Sequence, residues 1–428
     1  MPRIGIGIGT SFLGERLGIG IGAGGSDGTP LSGVGALKGE AGDGLVDPSG
    51  NRLVGTFAND NPGLTVRDIA RRQGIAFGTS IQSPALMNAP GPAGFPTRID
   101  WLSANTDVFV PGFVMMPDNF NPSLGTFQTG AAAAFVADAR ARGKAWRGHC
   151  AYYPKRDIGS WVDSYLQANP GQWQALQHAR IDALASVPGI KTASNFDVIN
   201  EVFSPGSTNP GGWRNSPWTV AAGSFTTPAV SAFQKMRDVL PNVKRYWCQD
   251  ASEQLASTTF LNHANNIVAG IESCMNLGAP VDGYAMQAHL TYRLGFDNQS
   301  ATRLRAFCRS LTETLGLELI VSELDLRTGY GDGILDPYGQ IDTRPPSGYT
   351  VPQYDMIGQD ITKRFLDTVL PFVKASGGNQ FLSWTLDDGY NSWTEAYGQP
   401  PGERPCPYTD TFQPKPQLAA IRNALLEC

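Results

Sequence analysis

Two carboxylic acids of this chain lie in apolar runs that are rich in β-branched residues. Glu201 closes the run Phe-Asp-Val-Ile-Asn-Glu at 196–201. Glu323 lies in the run Ile-Val-Ser-Glu-Leu-Asp-Leu-Arg at 320–327. Such runs are typical of strands that are buried on both faces, and the ends of parallel strands in a barrel open into one pocket. Two carboxyl groups in one pocket can act as an acid/base and a nucleophile, the pair that cleaves a glycosidic bond.

Each of these acids has a polar neighbour. Asn200 immediately precedes Glu201, and Asp325 follows Glu323 two positions later. A single glutamate at a strand end is explained as well by a surface ion pair. Two sites of the same design in one chain favour a catalytic role for the pair.

Length and composition limit the classes of function. The 428 residues, 41% of them hydrophobic, suffice for one large α/β barrel with an extension. The net charge is -5 and there is no long basic run, so we predict no nucleic-acid partner. The nine tryptophans and thirteen tyrosines suit stacking on uncharged ring faces, although most aromatic side chains of any globular protein belong to its core.

Three further features are not expected from the sequence. Residues 1–10 lack a basic region followed by a continuous apolar stretch, so we predict no signal peptide, and no window approaches about eighteen uninterrupted apolar residues, so we predict no membrane span. The chain has no Cys-x-x-Cys pair and contains only four histidines, which are spread along it, so we predict no structural zinc site. The chemistry above requires neither a metal nor a cofactor. Disulfide pairing stays open; if bridges form, Cys406 with Cys428 is the first choice.

Residues 1–60 are dominated by glycine, with Ile-Gly alternation at 4–9. Glycine at alternate positions disfavours a helix and favours an extended segment with isoleucines on one side. A phosphate-binding loop is the alternative, but no Lys-Ser or Lys-Thr follows the glycines. We therefore predict that residues 1–60 form an arm that packs on the barrel or on a neighbouring subunit, or a tether. Oligomerisation through this arm is possible, and residues 61–428 are predicted to be the catalytic domain.

From about Leu64 onward, helical spacing of apolar residues alternates with short β-branched runs. The predicted strands are 75–80, 144–149, 196–200, 244–248, 281–289, 317–323 and 380–384, each after a predicted helix. Such repetition predicts a parallel sheet, and about eight units favour a closed (β/α)8 TIM barrel. A doubly wound open sheet is the main rival, but it requires a nucleotide-binding loop after its first strand, and the sequence has none.

The residues that follow the predicted strands converge on one face of such a barrel. They are Thr79, Ser80, His149, Asn200, Glu201, Gln249, Asp250, Gln287, His289, Glu323, Asp325, Trp384, Asp387 and Asp388. This polar, acidic and aromatic set matches sugar hydroxyls and the cationic transition state of glycoside cleavage.

Seven segments in fixed order carry a resemblance to a known family. They are Gly-Ile-Ala-Phe-Gly-Thr at 74–79, Trp-Arg-Gly-His at 146–149, Phe-Asp-Val-Ile-Asn-Glu-Val-Phe at 196–203, Trp-Arg-Asn-Ser-Pro-Trp at 213–218, Tyr-Ala-Met-Gln-Ala-His at 284–289, Ser-Glu-Leu-Asp at 322–325, and Trp384 through Trp393. From about residue 64 to the C-terminus, the chain resembles family 10 of the glycoside hydrolases, the retaining endo-β-1,4-xylanases.

The resemblance implies a role for each matched residue. Glu201 corresponds to the acid/base, Glu323 to the nucleophile, and Asn200 to the residue that binds the sugar 2-hydroxyl. It also implies that one carboxyl is protonated and the other ionised in the resting enzyme. The remaining correspondences are His289 with Asp325 as the pair that keeps the nucleophile ionised, Gln287 near both acids, and His149, Trp384, Trp393 and Tyr153 as substrate-binding residues.

The chain departs from the family pattern on the glycone side. The family's Glu-Asn-x-Met-Lys-Trp run aligns with residues 112–117, where Gly112, Phe113, Met116 and Pro117 replace its Glu, Asn, Lys and Trp. The family's Trp-His pair is Tyr153-Pro154 here. We therefore expect unmodified xylan to bind poorly and another β-linked glycan, such as a bacterial surface polysaccharide, to be the competing substrate. The loop from Arg327 to Pro352 is longer than a βα connection requires.

Three hypotheses remain open. The first is a retaining β-glycan hydrolase, xylanase-like or redirected, whose partner is a polysaccharide or oligosaccharide. The second is a glycan-binding barrel without turnover, which the retention of both glutamates opposes. The third is an assembly component in which the Gly-rich arm is dominant. A location outside the cell, or on a cell surface or virion, is expected for the protein.

Overall fold

The computed structural model describes residues 64–81, 87–250, 253–291, 295–327, 351–390 and 404–428. The predicted arm at 1–60, the long loop at 328–350 and Trp393 lie outside these described residues. The predictions made for them, including the division of the chain at about residue 60, therefore stay predictions.

One parallel sheet forms the centre of the fold. Its strands are β1 Ala76–Ile81, β2 Val108–Pro111, β3 Ala145–Trp146, β4 Gly148–Tyr152, β5 Asn195–Asn200, β6 Lys244–Gln249, β7 Gly283–Met286, β8 His289–Thr291, β9 Glu318–Arg327 and β10 Gln380–Ser383. The spatial order is β3-β2-β1-β10-β9-β7-β6-β5-β4, and β8 pairs with β9 beyond the end of β7. Only Arg147 separates β3 from β4, so the two ends of this order are one interrupted strand and the sheet closes. The predicted TIM barrel is confirmed.

Helices surround the sheet. They are α1 Val66–Arg72, α2 Arg98–Asn105, α3 Pro117–Phe120, α4 Thr129–Ala141, α5 Pro154–Asp157, α6 Trp161–Ala168, α7 Trp173–Ala185, α8 Pro217–Ala222, α9 Thr227–Val239, α10 Thr258–Asn276, α11 Asn298–Arg309, α12 Val351–Ala375 and α13 Pro416–Glu427. Short 3₁₀ turns lie at Pro170–Gln172, Ile190–Thr192, Pro210–Gly212 and Asp388–Tyr390, and a π turn at Ser310–Thr314. The last helix, α13, packs against both α12 and α1 and so joins the end of the barrel to its beginning.

Local side-chain chemistry sets where several helices begin. The Thr65 hydroxyl accepts from the backbone N–H of Asp68, whose carboxylate accepts from the backbone N–H of Thr65, and this capping box begins α1. Thr97 and Asp100 form the same arrangement before α2. The prediction of a cap at Thr65 is confirmed.

The observed elements differ from the predicted units at several places, among them the predicted strand at 144–149, which is divided into β3 and β4. The predicted units omit β2 and α2, because a four-residue strand and a two-turn helix give too few residues for a clear period. The predicted strand at 281–289 is two strands, separated where Ala288 adopts a left-handed backbone with φ 65°. Strand β9 runs on to Arg327 because β8 pairs with its last three residues.

Alternate residues of the strands divide the core into two parts. Phe109 packs in the main apolar layer between sheet and helices, whereas Val108 and Val110 join Leu382 and Trp384 in a separate cluster. A buried polar layer also crosses the barrel. In it, Arg147 Nε donates to Asn195 Oδ1 (3.0 Å), and Asn195 Nδ2 donates to Gln380 Oε1 (3.1 Å).

The six cysteines are free thiols in the structure. The bridge named as first choice, Cys406 with Cys428, is therefore wrong. Cys406 is buried with its Sγ 3.0 Å from Thr385 Oγ1, whereas Cys428 ends helix α13. In the described part of the chain, no helix combines the length and the apolar character that crossing a membrane requires.

Candidate active site

The structure brings the two strand-end acids into one buried pocket. Glu201 follows β5 and Glu323 lies in β9, and their exposed fractions are 7% and 3%. Gln287 and Cys248 lie between them. Gln287 Nε2 is 3.4 Å from Glu201 Oε1 and 3.8 Å from Cys248 Sγ, which donates to Glu323 Oε1 at 3.5 Å. Gln287 also donates to Asn200 Oδ1 (3.0 Å), which fixes the amide beside the first acid.

Glu323 is held as a carboxylate. Burial raises its pKa, but the hydrogen bond from His289 Nε2 to Oε2 (3.2 Å), together with nearby positive charge, lowers the pKa further than burial raises it. His289 Nδ1 in turn donates to Asp325 Oδ1 at 2.9 Å. An ionised carboxylate at this position is suited to nucleophilic attack.

His289 is held in its charged form by the same contacts. Burial lowers its pKa, but the charge of Asp325 and the hydrogen bonds to Asp325 and Glu323 raise it well above the usual range. The imidazolium therefore donates to both carboxylates. The backbone turn before it, at Ala288, is fixed by a hydrogen bond from the Ala288 N–H to Glu253 Oε1 (2.8 Å). Burial raises the pKa of Glu253 to about 7.

A buried ion pair lies next to Glu323. Arg147 and Asp197 are both fully buried and pair directly, and Asp197 Oδ2 is 2.8 Å from His149 Nδ1. That nitrogen of His149 lies 3.9 Å from Glu323 Oε1. Ligand atoms of His149, Asp197, Cys248 and Glu323 lie within 4.8 Å of one another. Because they are already engaged with each other and with Arg147, an ion at this place would have to displace those contacts.

Trp384 closes one side of the pocket. Its ring lies edge-on to those of His149 and His289, with centroids 5.6 and 6.3 Å apart. The aromatic side also contains the residues that replace the family's glycone motif, since Met116 and Phe113 pack in the Trp384 cluster. Pro117 begins helix α3. The surface that carries Asn and Lys in the family pattern is therefore apolar here.

Glu201 sits on a constrained backbone. Its φ of 52° is left-handed, a conformation that non-glycine residues adopt only when their surroundings enforce it. Its N–H donates to Cys248 O (3.1 Å), and Arg214 Nε donates to its carbonyl oxygen (3.1 Å). These two hydrogen bonds hold the turn after β5 and aim the carboxyl group into the pocket.

The Glu201 carboxylate receives three donors. Tyr153 OH donates to Oε1 at 2.5 Å, Gln287 Nε2 reaches the same oxygen, and Lys155 Nζ forms an ion pair with Oε2. Burial raises the pKa of Glu201, but the charge and hydrogen bond of Lys155 and the Tyr153 hydroxyl lower it to about 2. The resemblance implies one protonated carboxyl at rest, whereas here both acids are held ionised. Lys155 is the physical reason.

Several residues of the site were not predicted. Arg147 and Asp197 lie inside motifs quoted above, so the sequence could have indicated both as site residues. Nothing in the sequence indicates a contact between Lys155 and Glu201. Asp250, by contrast, is one of the predicted strand-end residues. It is buried near Glu201, and burial followed by the charge of Glu201 raises its pKa to about 6.

Asp387 and Asp388 are strand-end residues whose partners lie elsewhere. Asp387 pairs with Arg98 of α2 (3.2 Å), and Asp388 with Lys415 before α13 (3.0 Å). These two ion pairs connect the end of the barrel to its helices.

A known family model matches the part of the chain that forms this pocket. The model described as Glycosyl hydrolase family 10 matches residues 65–424. The chain belongs to glycosyl hydrolase family 10. The resemblance stated from the seven segments is confirmed, and residues 65–424 are a xylanase-like glycoside hydrolase domain.

Relatives of this family 10 chain are xylanases by name. A thermostable celloxylanase of Thermoclostridium stercorarium is 26% identical over 235 residues, which are 53% of this chain and 52% of that protein. The match thus spans about half the length of that relative. Native xylanase 10B of Thermotoga maritima superposes with a TM-score of 0.65 at 18% identity, over 85% of this chain and 98% of that one. Xylanase B of Clostridium stercorarium F9 superposes with a TM-score of 0.63 at 21% identity, over 83% of this chain and 98% of that one. These structures share the fold.

We predict that replacing His289 moves the acid side of the pH profile. His289→Ala removes the cation that lowers the pKa of Glu323, so Glu323 becomes protonated at higher pH. The acid limb of kcat/KM on a dinitrophenyl β-glycoside should rise by about one to three pH units, and Asp325→Asn should shift it in the same direction by less. His178→Ala is the matched control, because His178 lies on α7 and contacts Ser231. An acid limb that stays in place in His289→Ala contradicts the assignment.

Proposed function

We propose that this protein hydrolyses internal β-1,4 bonds of a polysaccharide with retention of configuration. The observation that carries the proposal is the pair Glu201 and Glu323, joined through Gln287 and Cys248 in one pocket of a family 10 barrel. Retaining hydrolysis requires two carboxyl groups on either side of the scissile bond, one as nucleophile and one as acid/base.

The reaction has two steps. The Glu323 carboxylate attacks the anomeric carbon and forms a glycosyl-enzyme, while protonated Glu201 gives its proton to the departing glycosidic oxygen. In the second step, ionised Glu201 takes a proton from water as that water attacks the anomeric carbon, which releases Glu323. Both steps pass through a cationic transition state, which the surrounding carboxylates stabilise.

Other residues of the pocket position the sugar. Asn200, held by Gln287, is placed to bind the 2-hydroxyl at the cleavage site. His149 and Trp384 form the floor and the platform beneath that sugar, and Tyr153 lies at the side of the acid/base. Trp393, proposed as an aromatic cover for this subsite, lies outside the described residues.

Xylan is the default substrate and a different β-linked glycan is the competitor. Xylanase 10B of Thermotoga petrophila, 18% identical and superposed with a TM-score of 0.66 over 87% of this chain and 99% of that one, was solved with xylobiose. Here the apolar Phe113 and Met116 replace a donor pair whose hydrogen bonds are worth about 1.5–3 kcal/mol each. That loss favours a redirected specificity, such as for a bacterial surface polysaccharide, and such a substrate places the enzyme outside the cell or on a surface. A glycan-binding barrel without turnover is less well supported, because both acids and their partners are retained.

Variants of the two acids test the mechanism. Glu323→Ala should lose hydrolysis of dinitrophenyl glycosides by on the order of 10⁴-fold or more, since no glycosyl-enzyme can form. Glu201→Ala should still form the glycosyl-enzyme from this good leaving group, and azide should then give a glycosyl azide of retained configuration. Proton NMR of the anomeric centre reads the configuration. Near wild-type turnover of a natural glycan by either variant contradicts the assignment.

A panel of polysaccharides tests internal cleavage and substrate. We expect one β-1,4-linked glycan to yield a ladder of oligosaccharides from early time points, with mass spectrometry identifying the products. Release of single sugars alone contradicts internal cleavage, and binding without products from any glycan that binds supports the non-catalytic alternative.

A further inference from the structure

Lys155 occupies the boundary between the acid/base and solvent. Its side chain is 35% exposed, whereas that of Glu201, with which it pairs, is 9% exposed. The lysine extends from helix α5, which begins directly after Tyr153. An ammonium group at the rim of a pocket can reach both the buried carboxylate and a ligand that enters from solvent.

The backbone beneath Lys155 is firmly anchored. Asp157, in the same short helix, accepts hydrogen bonds from Arg180 Nη1 and Nη2 (3.0 and 3.1 Å) and from Trp218 Nε1 (2.8 Å), and these three side chains are buried. Helix α5 also contacts α3, the helix that begins at the altered glycone motif. The position of Lys155 next to Glu201 is therefore built into the fold.

This contact opposes the acid half of the proposed reaction. Tyr153, Gln287 and Lys155 each donate to the carboxylate of Glu201. The Tyr153 hydroxyl can also accept a hydrogen bond, but the Lys155 ammonium cannot, so its contact is compatible only with the ionised acid. The same ion pair lowers the pKa of Glu201 and so favours its ionised form, whereas the acid of the first step must be protonated. Efficient proton donation requires Lys155 to leave Oε2, and a neutral sugar offers the ammonium no replacement charge.

We propose that Lys155 binds a carboxylate on a sugar next to the cleaved bond, so that the substrate is an acidic, uronate-type β-linked polysaccharide. This inference rests on the proposed function and adds the substrate class to it. The substrate carboxylate takes over the ammonium from Glu201, and the freed Glu201 then takes a proton from solvent and acts as the acid. Neutral glycans leave the ion pair intact and are cleaved slowly.

The charges around Glu201 are consistent with this role. The titratable groups that interact with it are Tyr153 and Lys155 from the β4–α5 segment, Arg214 from the loop after β5, Asp250 after β6, and the thiol of Cys150 in β4. His289 acts on the neighbouring Asp250. Arg214 is engaged with the backbone oxygens of Glu201 and Phe203, so its position is fixed. Lys155 is thus the cation that can change partner when a substrate enters.

Matched acidic and neutral substrates test the proposal. Uronate-containing β-1,4-linked oligosaccharides are compared with the same oligosaccharides after chemical reduction of their carboxyl groups. Wild-type enzyme should show kcat/KM higher by about tenfold or more for the acidic form. Lys155→Met should lower that ratio to within about twofold and should cleave the neutral form faster than wild type does. Its alkaline limb on a neutral substrate with a poor leaving group should lie at higher pH than that of wild type.

Arg156→Met is the matched control. Arg156 is the adjacent cation, and its guanidinium pairs with Asp118 rather than with Glu201. This variant should keep the preference for the acidic form. Equal loss in both variants indicates a general positive field and overturns the role of Lys155, as does an equal rate of wild type on acidic and neutral forms.

A dinitrophenyl glycoside separates this inference from the proposed function. Its leaving group departs without a proton, so turnover by wild type and by Lys155→Met depends on Glu323 and not on the acid. Turnover of this compound without any preference for acidic oligosaccharides refutes the inference alone. Absence of turnover in both proteins refutes the proposed function.

Discussion

Charge compensation inside the barrel is the constraint on which the active site depends. A carboxylate removed from water is stable only with a cation or several donors, and loss of one partner of a buried pair costs about 3–5 kcal/mol. Four buried acids of the pocket follow this rule. Asp197 pairs with Arg147, Glu323 and Asp325 share His289, and Glu201 pairs with Lys155. The fold therefore fixes the ionisation of the site before any substrate enters.

The two glutamates use that constraint differently. For Glu323 the neighbouring imidazolium produces the state that its proposed role requires, an ionised nucleophile. For Glu201 the neighbouring ammonium stabilises the ionised carboxylate, whereas the acid of the first step must be protonated. The ionised form suits the base of the second step. The two cations are held differently: His289 is hydrogen-bonded to two carboxylates, whereas the long side chain of Lys155 is 35% exposed and pairs with one. An exchangeable cation beside the acid makes proton donation dependent on the ligand.

Much of this molecule was predictable from its sequence, and the reasons are local. The alternation of helical apolar spacing with short β-branched runs predicted the barrel. The ends of the predicted strands placed four residues on one face, because parallel strands bring their ends together: Glu201, Glu323, Gln287 and His289. Strand β2 was not predicted because four residues are too few to show a periodic pattern. The contact of Lys155 with Glu201 was not predicted from the sequence, because it joins residues 46 positions apart and depends on the orientation of a flexible side chain. Such contacts are set by packing between elements, as are the left-handed turns at Glu201 and Ala288.

Trapping of the glycosyl-enzyme tests the central claim most directly. A dinitrophenyl 2-deoxy-2-fluoro-β-xylobioside slows both steps, but its leaving group permits the first, so the covalent intermediate accumulates. Peptide mapping by mass spectrometry then locates the sugar. The account predicts one label per chain, on Glu323, and none in Glu323→Ala. A label on Glu201 or on any other residue would contradict it.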